Sequence, residues 1–409
     1  MRVFLAVLLL WPLFAVGQGR VWTFQELVEQ SLASHPAIQS RRSSAAAAGS
    51  DLDSARWQRF PTPTFEAFSG GGSSALGGPD SRLRVQQPIW TGGRITSGID
   101  SAQSRKDAAG FAIGETRLDI ALRVAAAYVE AARQQARYGH ADRGVAEHQR
   151  LLDLIGRRVR QEVSPPVDQE LAQSRFYQAV NDRSTIAQAL RSALTQLAQL
   201  AGQPVERVAA LRVDLAAAPA SLDQALEQAL ANSPALARVG AEGRAAEAEV
   251  ESRRSVLWPQ LGVRLERDFG GQVTGDRSRV LLVLEATPGA GLSAGSNVEA
   301  ARSRRRALNE QRESAQRDIR ERVGIDWAEL SHARDRLGNA ELARKTAGEV
   351  FESFARQYTA GRKTWVDVMN AVRESTQAEF TLADAQAQVS GAALRLRLLS
   401  APPGAGSTP

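Results

Sequence analysis

The sequence predicts a mainly α-helical protein in which one plan, long helices interrupted by a short β-hairpin, occurs twice. Three observations support this prediction. Sequence segments recur at a nearly constant offset. Long stretches carry the apolar spacing of coiled-coil helices and contain few helix breakers. Four short segments alternate apolar with polar residues, as half-buried β-strands do.

The N-terminal segment is typical of a secretory signal. Arg2 precedes an apolar run at 3–16, and Ala15 and Gly17 occupy the small-residue positions of a cleavage site. We therefore expect residues 1–17 to be removed. The run is too short to span a membrane as a helix, and no run of 18 apolar residues follows it. This excludes a conventional helical membrane protein.

Matching strings reveal the two copies. SLASHPAIQ from Ser31 matches ALANSPALA from Ala229, and VDQELAQSR from Val167 matches VDVMNAVRE from Val366. Near the end of each copy, apolar residues alternate spacings of four and three, which is the seam of a coiled coil. The seam residues are Ile186, Leu190, Ala193, Leu197 and Leu200 in one copy and Ala385, Val389, Ala392, Leu396 and Leu399 in the other. We divide the chain into repeats at 18–204 and 219–402 and a flexible tail at 403–409.

The predicted helices follow the same order in both repeats. A short helix starts at Thr23 or Ser221 and leads into a longer one. After the β segments, apolar patterns run through residues 95–161 and 296–358. At 1.5 Å per residue, either helix would be roughly 90 to 100 Å long. Such helices cannot bury their apolar stripes within one compact domain, so we expect them to pack side by side as an elongated coiled-coil tube.

Two β-hairpins are predicted at about 61–90 and 259–287, each with a glycine-rich loop. The alternation is clearest where Leu261, Val263 and Leu265 face away from their polar neighbours. The simplest alternative is a small sheet packed on the helices. The strand length and alternation instead favour an outer-membrane barrel. Because an open sheet edge in lipid leaves backbone groups unpaired at several kcal/mol each, several protomers would share one closed barrel.

Aromatic residues stand near the ends of these strands. They are Trp57, Phe60, Trp90 and Trp258. Tryptophan and other amphipathic aromatics concentrate where a membrane meets water, so we expect these four to lie at a membrane interface.

The composition limits other functions. The net charge is +6, but basic and acidic residues are interleaved along the helices, which indicates solvated helix faces rather than a nucleic-acid surface. The chain has no cysteine, and its histidines, His35, His140, His148 and His332, lack metal-ligand spacing. The glycine clusters lack the lysine of a phosphate-binding loop. We predict no enzyme activity and no cofactor.

The second long helical pattern breaks for one turn at QYTAGRKTWVDVMNAVRE, residues 357–374. Gly361 can adopt the left-handed conformation that ends a helix. Thr364 and Asp367 form a T-x-x-D capping box that starts the next one. A similar break at VSPP in the first repeat makes both sites tight hairpins between helices.

The strings SLASHP, QPIWTGGR and AGRKTWVDVMNA, set within the duplicated plan, resemble the TolC-like outer-membrane efflux and secretion channels over essentially the whole mature length. The resemblance implies a homotrimer in the cell outer membrane. Its twelve-stranded β-barrel, shared among the subunits and embedded in lipid, joins a trimeric α-barrel tunnel that projects into the periplasm. The partners implied are a periplasmic adaptor protein and an inner-membrane transporter.

By this resemblance, the two tips close the tunnel and dock the partners. The docking residues would be Glu162, Val163, Ser164, Pro165, Gly361, Arg362, Lys363 and Thr364. Charged links between Asp168 and Arg362 or Lys363 would hold the aperture shut, with Asp367 and Asn370 also near it. Helix capping is the simpler interpretation of Asp168 and Asp367. The first tip departs from the family in lacking a glycine, and Asn370 replaces an aspartate found in some members.

The pairing of VSPPVD with GRKTWVDVMNAVRE looks most like the branch that serves type I secretion with an ABC transporter, including export of large adhesins. Drug or metal efflux is the alternative. A periplasmic coiled-coil adaptor is a further alternative, but such a protein usually has one helical hairpin and no barrel-type strands.

Overall fold

The computed structural model describes residues 20–68, 80–211, 219–269, 277–287 and 289–403. The predicted signal peptide lies outside these residues. So do almost all of the two glycine-rich loops, most of the segment between the repeats, and the tail beyond residue 403.

The first copy consists of helices and strands in the predicted order. They are β1 Val21–Trp22, α1 Phe24–Ser34, α2 Pro36–Trp57, β2 Thr62–Phe68, β3 Asp80–Trp90, α3 Arg94–Arg160, α4 Pro166–Ala201 and β4 Arg207–Val208. The pairing of β1 with β4 is parallel, and the sequence did not predict these two short strands.

The second copy repeats the plan. Its elements are α5 Leu222–Ala231, α6 Pro234–Ser255, β5 Gln260–Phe269, β6 Arg277–Glu285, a short 3-10 turn at Ala290–Leu292, α7 Ala294–Thr359 and α8 Trp365–Ser400. Helices α2 and α6 both have 22 residues, α4 and α8 both have 36, and α3 and α7 have 67 and 66. The duplication and the mainly α-helical class are confirmed.

Local sequence explains where the helices start. The Ser221 and Ser233 hydroxyls accept hydrogen bonds from backbone N–H groups in the first turns of α5 and α6. His35 does the same for α2 through Nδ1, which accepts from the Ala37 N–H at 3.2 Å. Proline occupies the first turn of both α2 and α6, where its missing N–H costs nothing.

The chain forms two compact units, and neither coincides with a sequence repeat. The first unit comprises the described residues of Met1–Ala33, Arg123–Asp214 and Leu330–Gly391. The second comprises the described residues of Ser34–Leu122, Leu215–Glu329 and Ala392–Pro409. Each unit therefore takes segments from both repeats. All the seam residues are buried except Leu190, which is partly exposed.

The second unit contains a four-stranded sheet in the order β2-β3-β5-β6, with every neighbouring pair antiparallel. The two predicted hairpins are thus joined side by side through β3 and β5. The register pairs Phe65 with Leu83, Val85 with Leu265, and Leu265 with Val280. A bulge interrupts the register between Pro88 and Trp90. Side chains at paired positions point to the same face of the sheet.

Candidate functional site

One face of the four-stranded sheet is apolar and exposed. The register and the alternation of side chains place on it Phe65, Leu83, Val85, Leu261, Val263, Leu265, Val280, Leu282 and Leu284. Val280, Leu282 and Leu284 on β6 are 69%, 72% and 69% exposed, and Phe65 on β2 is 67% exposed. A contiguous apolar surface of this kind marks a site that meets lipid or another protein.

The opposite face carries ion pairs that cross all four strands. The Arg84 guanidinium contacts Glu66 of β2 at 3.3 Å and Glu266 of β5 at 3.2 Å. Glu266 also accepts from Arg279 of β6 at 2.7 Å, and its side chain is only 5% exposed. Arg82 and Asp268 pair at 2.6 Å. The carboxylates and guanidiniums neutralise one another, so this part of the face is polar and its charges are paired across the strands.

This ion-pair network was not predicted from the sequence. Its signal was visible, because Arg82 and Arg84 alternate on one strand while Glu266 and Asp268 alternate on another. What the alternation alone could not supply was the pairing of β3 with β5, which joins residues 182 positions apart.

The predicted interface aromatics lie where the strands adjoin the helices. Trp57 ends α2, Trp90 ends β3, and Trp258 precedes β5 by two residues. All four aromatic side chains are about half exposed or more. The rings of Trp57 and Phe60 are 5.0 Å apart. Their role at a membrane interface stays a prediction.

A glycine permits close packing at this end of the sheet. Gly92 has φ of +60°, and a Cβ there would come within 3.1 Å of the Trp258 Cβ. Only glycine fits this conformation and this contact without displacing the tryptophan.

The second tip, residues 360–367, has the predicted local chemistry. Gly361 has φ of +71°, and the Arg362 N–H donates to the Gln357 carbonyl at 2.8 Å, as in a Schellman motif. The Thr364 N–H donates to the Asp367 carboxylate at 3.1 Å, and the Asp367 N–H donates to the Thr364 hydroxyl at 3.2 Å. Hydrogen bonds from the Thr364 side chain and backbone hold the pKa of Asp367 below its usual range. The predicted capping box is confirmed.

The first tip, residues 161–168, reaches the same backbone shape with different residues. Glu162 has φ of +60°, the left-handed conformation of Gly361. The Val163 N–H donates to the Arg158 carbonyl at 2.9 Å, which matches the bond from Arg362 in the second tip. Helix α4 begins after Pro165, which makes no side-chain capping hydrogen bond. Because proline has neither a hydroxyl nor an N–H, Pro165 cannot form with Asp168 the reciprocal bonds that Thr364 forms with Asp367. Asp168 lies in the first turn of α4, and its role as a helix cap stays a prediction.

A buried cluster lies beneath both tips in the first unit. It contains Leu151, Ile155, Ala172, Tyr358, Trp365, Val368, Met369 and Val372. The rings of Tyr358 and Trp365 are 5.9 Å apart, and the Arg158 guanidinium lies 5.0 Å from the Tyr358 ring centroid. Burial raises the pKa of the Tyr358 hydroxyl. Residues of α3, α4, α7 and α8 thus meet in one apolar core.

The predicted charged link concerns the aperture candidates Asp168, Arg362 and Lys363. Among the ion pairs of the described residues, none joins Asp168 to Arg362 or Lys363. The Lys363 ammonium instead lies 4.2 Å from the Phe354 ring centroid, a contact that the sequence analysis did not foresee. Asn370 lines a cavity of about 100 Å³ together with Arg175 and Arg373. The charged link across the aperture stays a prediction.

The described histidines do not assemble into a metal centre. His140 Nδ1 lies 3.2 Å from a Glu379 oxygen, and burial lowers the pKa of His148. Within residues 20–403, excluding the gaps in the described ranges, no group of three His, Asp or Glu side chains could hold a metal ion. In the same residues, no helix has both the length and the apolar character needed to cross a membrane.

The duplicated helical hairpins and the sheet with one apolar face define a class of protein, the helical tunnel channels of the outer membrane. The chain belongs to the outer membrane efflux protein family, whose model matches residues 27–203 and 225–401, one match on each repeat. It is therefore an outer membrane efflux channel of the TolC-like type, as the resemblance implied. The family is one of channel proteins and not of enzymes.

Solved channels share the fold. CusC has a TM-score of 0.81 at 15% sequence identity, covering 95% of each chain. A membrane protein from Pseudomonas aeruginosa has a TM-score of 0.79 at 17% identity, covering 92% of each. The outer membrane protein VceC from Vibrio cholerae has a TM-score of 0.78 at 16% identity, covering 92% of this chain and 95% of that one. No curated protein matches the sequence.

Proposed function

We propose that three copies of this chain close their sheets into one twelve-stranded barrel that forms the outer-membrane part of the channel. The exposed apolar face of the sheet carries this proposal. Strands β2 and β6 are the outer strands of the sheet, and in lipid their edge N–H and C=O groups would be unpaired at several kcal/mol each. Pairing β6 of one copy with β2 of the next satisfies both edges.

In this barrel the apolar face meets lipid and the ion-pair network from Glu66 to Arg279 lines the lumen. Outer-membrane barrels have this arrangement, with an apolar band outside and polar side chains inside. Trp57, Phe60, Trp90 and Trp258 would then form the aromatic belt at the periplasmic interface, because they lie at the end of the sheet that adjoins the helices.

Disulfide cross-linking tests the barrel, because the chain contains no cysteine of its own. Thr64→Cys on β2 is combined in turn with Arg279→Cys, Leu281→Cys and Val283→Cys on β6. At least one combination should give covalent trimers after oxidation in outer membranes. A cysteine pair at Arg84 and Glu266, which are cross-strand partners within one chain, is the control and should give only monomers. Monomers from every β2 and β6 combination would contradict the shared barrel.

The two tips form the docking surface for a periplasmic adaptor and an inner-membrane transporter. Val163 and Val167 in the first tip and Val366 in the second are large apolar residues that are exposed. Glu162 and Arg362 are exposed beside them and give the tips opposite charge. Exposed apolar residues rimmed by charges are a common form of protein interface.

Charged links between tips hold the aperture closed. An exposed ion pair contributes only about 0 to 1 kcal/mol, so several such links can be opened by partner binding. Replacing Asp168 and Lys363 together by alanine should raise single-channel conductance in planar bilayers. Lys345→Ala, 14 residues before the end of α7 at Thr359 and roughly 21 Å from that end along the helix, is the control and should leave the conductance unchanged. Unchanged conductance in the double variant would show that neither residue helps to close the aperture.

The exported cargo is proposed to be protein, such as a large adhesin, delivered by an ABC transporter in a type I secretion system. The sequences of the two tips support this branch. Loss of the chain in its native cell should abolish surface display of the exported protein and leave sensitivity to small toxic compounds unchanged. The opposite result would assign the channel to drug or metal efflux.

A further inference from the structure

The apolar face of the sheet carries one charged side chain among its described strand residues, and that residue is Arg267 of β5. The register pairs Arg267 with Leu83 of β3 and Ser278 of β6, so it shares a face with the leucines and valines. The other charged residues of β5, which are Arg264, Glu266 and Asp268, belong to the polar face by alternation. An arginine on a face that meets lipid is costly unless its guanidinium reaches a polar region.

The position of Arg267 along the strand indicates which polar region this is. It lies two residues before Phe269, the last residue of β5, at the end of the sheet away from the interface aromatics. Arg267 lies seven positions after Gln260, which at a rise of roughly 3.3 Å per position and a strand tilt of about 40° gives about 18 Å along the membrane normal. Trp258 lies two residues further back. Arg267 and the aromatic end are thus separated by most of the apolar band, which is about 25 Å tall.

The cost of placing an arginine in lipid also favours a position of Arg267 near the membrane interface. An arginine on the lipid face of a barrel costs about 2 to 4 kcal/mol at the bilayer midplane but only about 0 to 1 kcal/mol near an interface. Its long apolar stem can lie along the neighbouring leucine while the guanidinium reaches the headgroup level. Strand β5 has neighbours on both sides, β3 and β6. Arg267 is therefore away from the edges at which two copies of the chain would pair.

The neighbours of Arg267 complete a site for an anion. The guanidinium carbon lies 4.9 Å from the Phe269 ring centroid, an aromatic contact that orients its plane. Ser278 is the direct cross-strand partner of Arg267, and Ser81 is that of Phe269. Both hydroxyls belong to the apolar face by alternation, at the same end as Arg267. A guanidinium fork with adjacent hydroxyls matches the oxygens of a phosphate group.

We propose that Arg267, Phe269 and Ser278 bind the phosphate headgroup of an anionic membrane lipid at the loop end of the barrel. This inference rests on the proposed function, because it requires the apolar face to meet lipid. A lipid fits better than a soluble anion, since its acyl chains would cover the exposed side chains of Leu265 and Val280 directly below the guanidinium.

Lipid retention tests the site. The full mature chain, purified from outer membranes, is reconstituted into vesicles of phosphatidylcholine alone or of phosphatidylcholine with phosphatidylglycerol. Lipids retained after detergent extraction are then counted by native mass spectrometry. The unaltered chain should retain phosphatidylglycerol in preference to phosphatidylcholine. Arg267→Gln should reduce that preference about fivefold, the effect of one basic residue at an anionic surface, and Arg267→Lys should restore part of it.

Arg279→Gln is the matched control. It removes an arginine from the adjacent strand but from the polar face, so the lipid preference should stay as in the unaltered chain. Equal retention of the two lipids by the unaltered chain, or the same preference in Arg267→Gln, would overturn the inference. Release of the retained lipid by inorganic phosphate would also overturn it, because the site would then bind a soluble anion.

The same experiment separates this inference from the proposed function. If the chain inserts into both kinds of vesicle and conducts ions without a headgroup preference, the barrel stands and only the lipid site is wrong. If the chain inserts into neither, both proposals fail.

Discussion

The two helical tips end one helix in the same way and begin the next in different ways. In each, a residue with left-handed backbone, Glu162 or Gly361, ends the long helix with the same Schellman hydrogen bond. The first tip then uses two prolines to start α4, and the second uses the reciprocal bonds of Thr364 and Asp367 to start α8. The duplicated backbone has therefore been kept while the side-chain chemistry that supports it has changed.

Because of this difference, we expect the two tips to differ in stability. The second tip is anchored by Trp365, which lies in the buried cluster, and by the contact of Lys363 with Phe354. At the positions matching Trp365 and Lys363, the first tip has Pro166, which is exposed, and Ser164. Its backbone also holds a non-glycine residue in the left-handed region, which costs about 1 to 2 kcal/mol. We therefore expect the first tip to open more readily than the second.

The largest expected effect is at the anchor. Trp365→Ala should destabilise the start of α8 by about 3 to 5 kcal/mol, because a buried aromatic side chain is lost and a cavity remains. The matched change Pro166→Ala should destabilise the start of α4 by less than about 1 kcal/mol, since only the rigidity of an exposed proline is lost. Hydrogen–deuterium exchange of amides in the first two turns of each helix measures both. Similar losses at the two tips would contradict the proposed asymmetry.

Exchanging the left-handed residues should reduce the asymmetry. Gly361→Glu should weaken the second tip by about 1 to 2 kcal/mol, the cost of a left-handed conformation for a residue with a Cβ. A Cβ at Gly361 has no atom within 4 Å, so the cost comes from the backbone alone. Glu162→Gly should strengthen the first tip by about 0.5 to 1 kcal/mol. The change relieves the strain of the left-handed conformation, but the greater entropy of glycine in the unfolded chain offsets part of that gain.

Amide exchange at Val163 and Arg362, the donors of the two Schellman bonds, measures these changes. In Glu162→Gly, protection of the Val163 amide should rise. In Gly361→Glu, protection of the Arg362 amide should fall. No change at Val163 would mean that surrounding contacts, and not the backbone conformation of Glu162, determine the stability of the first tip.

These tips also show what the sequence could predict. The capping box of Thr364 and Asp367 was predictable because both partners lie within one helical turn, and the duplication was visible as repeated strings. The left-handed Glu162 was not predicted, because its conformation is imposed by the flanking helices and contradicts the preference of glutamate. The network through Glu266 was also missed, because its bonds join strands that are far apart in the sequence.

The capping box itself should contribute less than the anchor. Thr364→Ala removes the hydroxyl that accepts from the Asp367 N–H and should weaken the start of α8 by about 1 kcal/mol. Thr364→Ser keeps the hydroxyl and should restore most of the protection. Exchange at the first-turn amides of α8 checks both variants. If alanine and serine have the same effect, the lost interaction is packing by the threonine methyl group and not the cap.

The smallest expected effect is a dependence on pH that is confined to the second tip. The pKa of Asp367 lies below its ordinary value of 3.8 because Thr364 donates hydrogen bonds to the carboxylate. A carboxylate whose pKa is lowered by folding adds stability above its unfolded pKa, and that stability is lost as the pH falls through the folded value. Protection of the first turn of α8 should therefore decrease as the pH falls below about 4, after correction for intrinsic exchange.

Asp367→Asn isolates this effect, because asparagine can still accept a hydrogen bond from Thr364 but does not titrate in this range. Its first-turn amides should show a flat profile where the unaltered chain shows a decrease. The start of α4 lacks the reciprocal pair and should not share this decrease. An equal loss of protection in the first turns of α4 and α8 at low pH would contradict this prediction. The loss would then arise from a group common to both tips and not from the Asp367 cap.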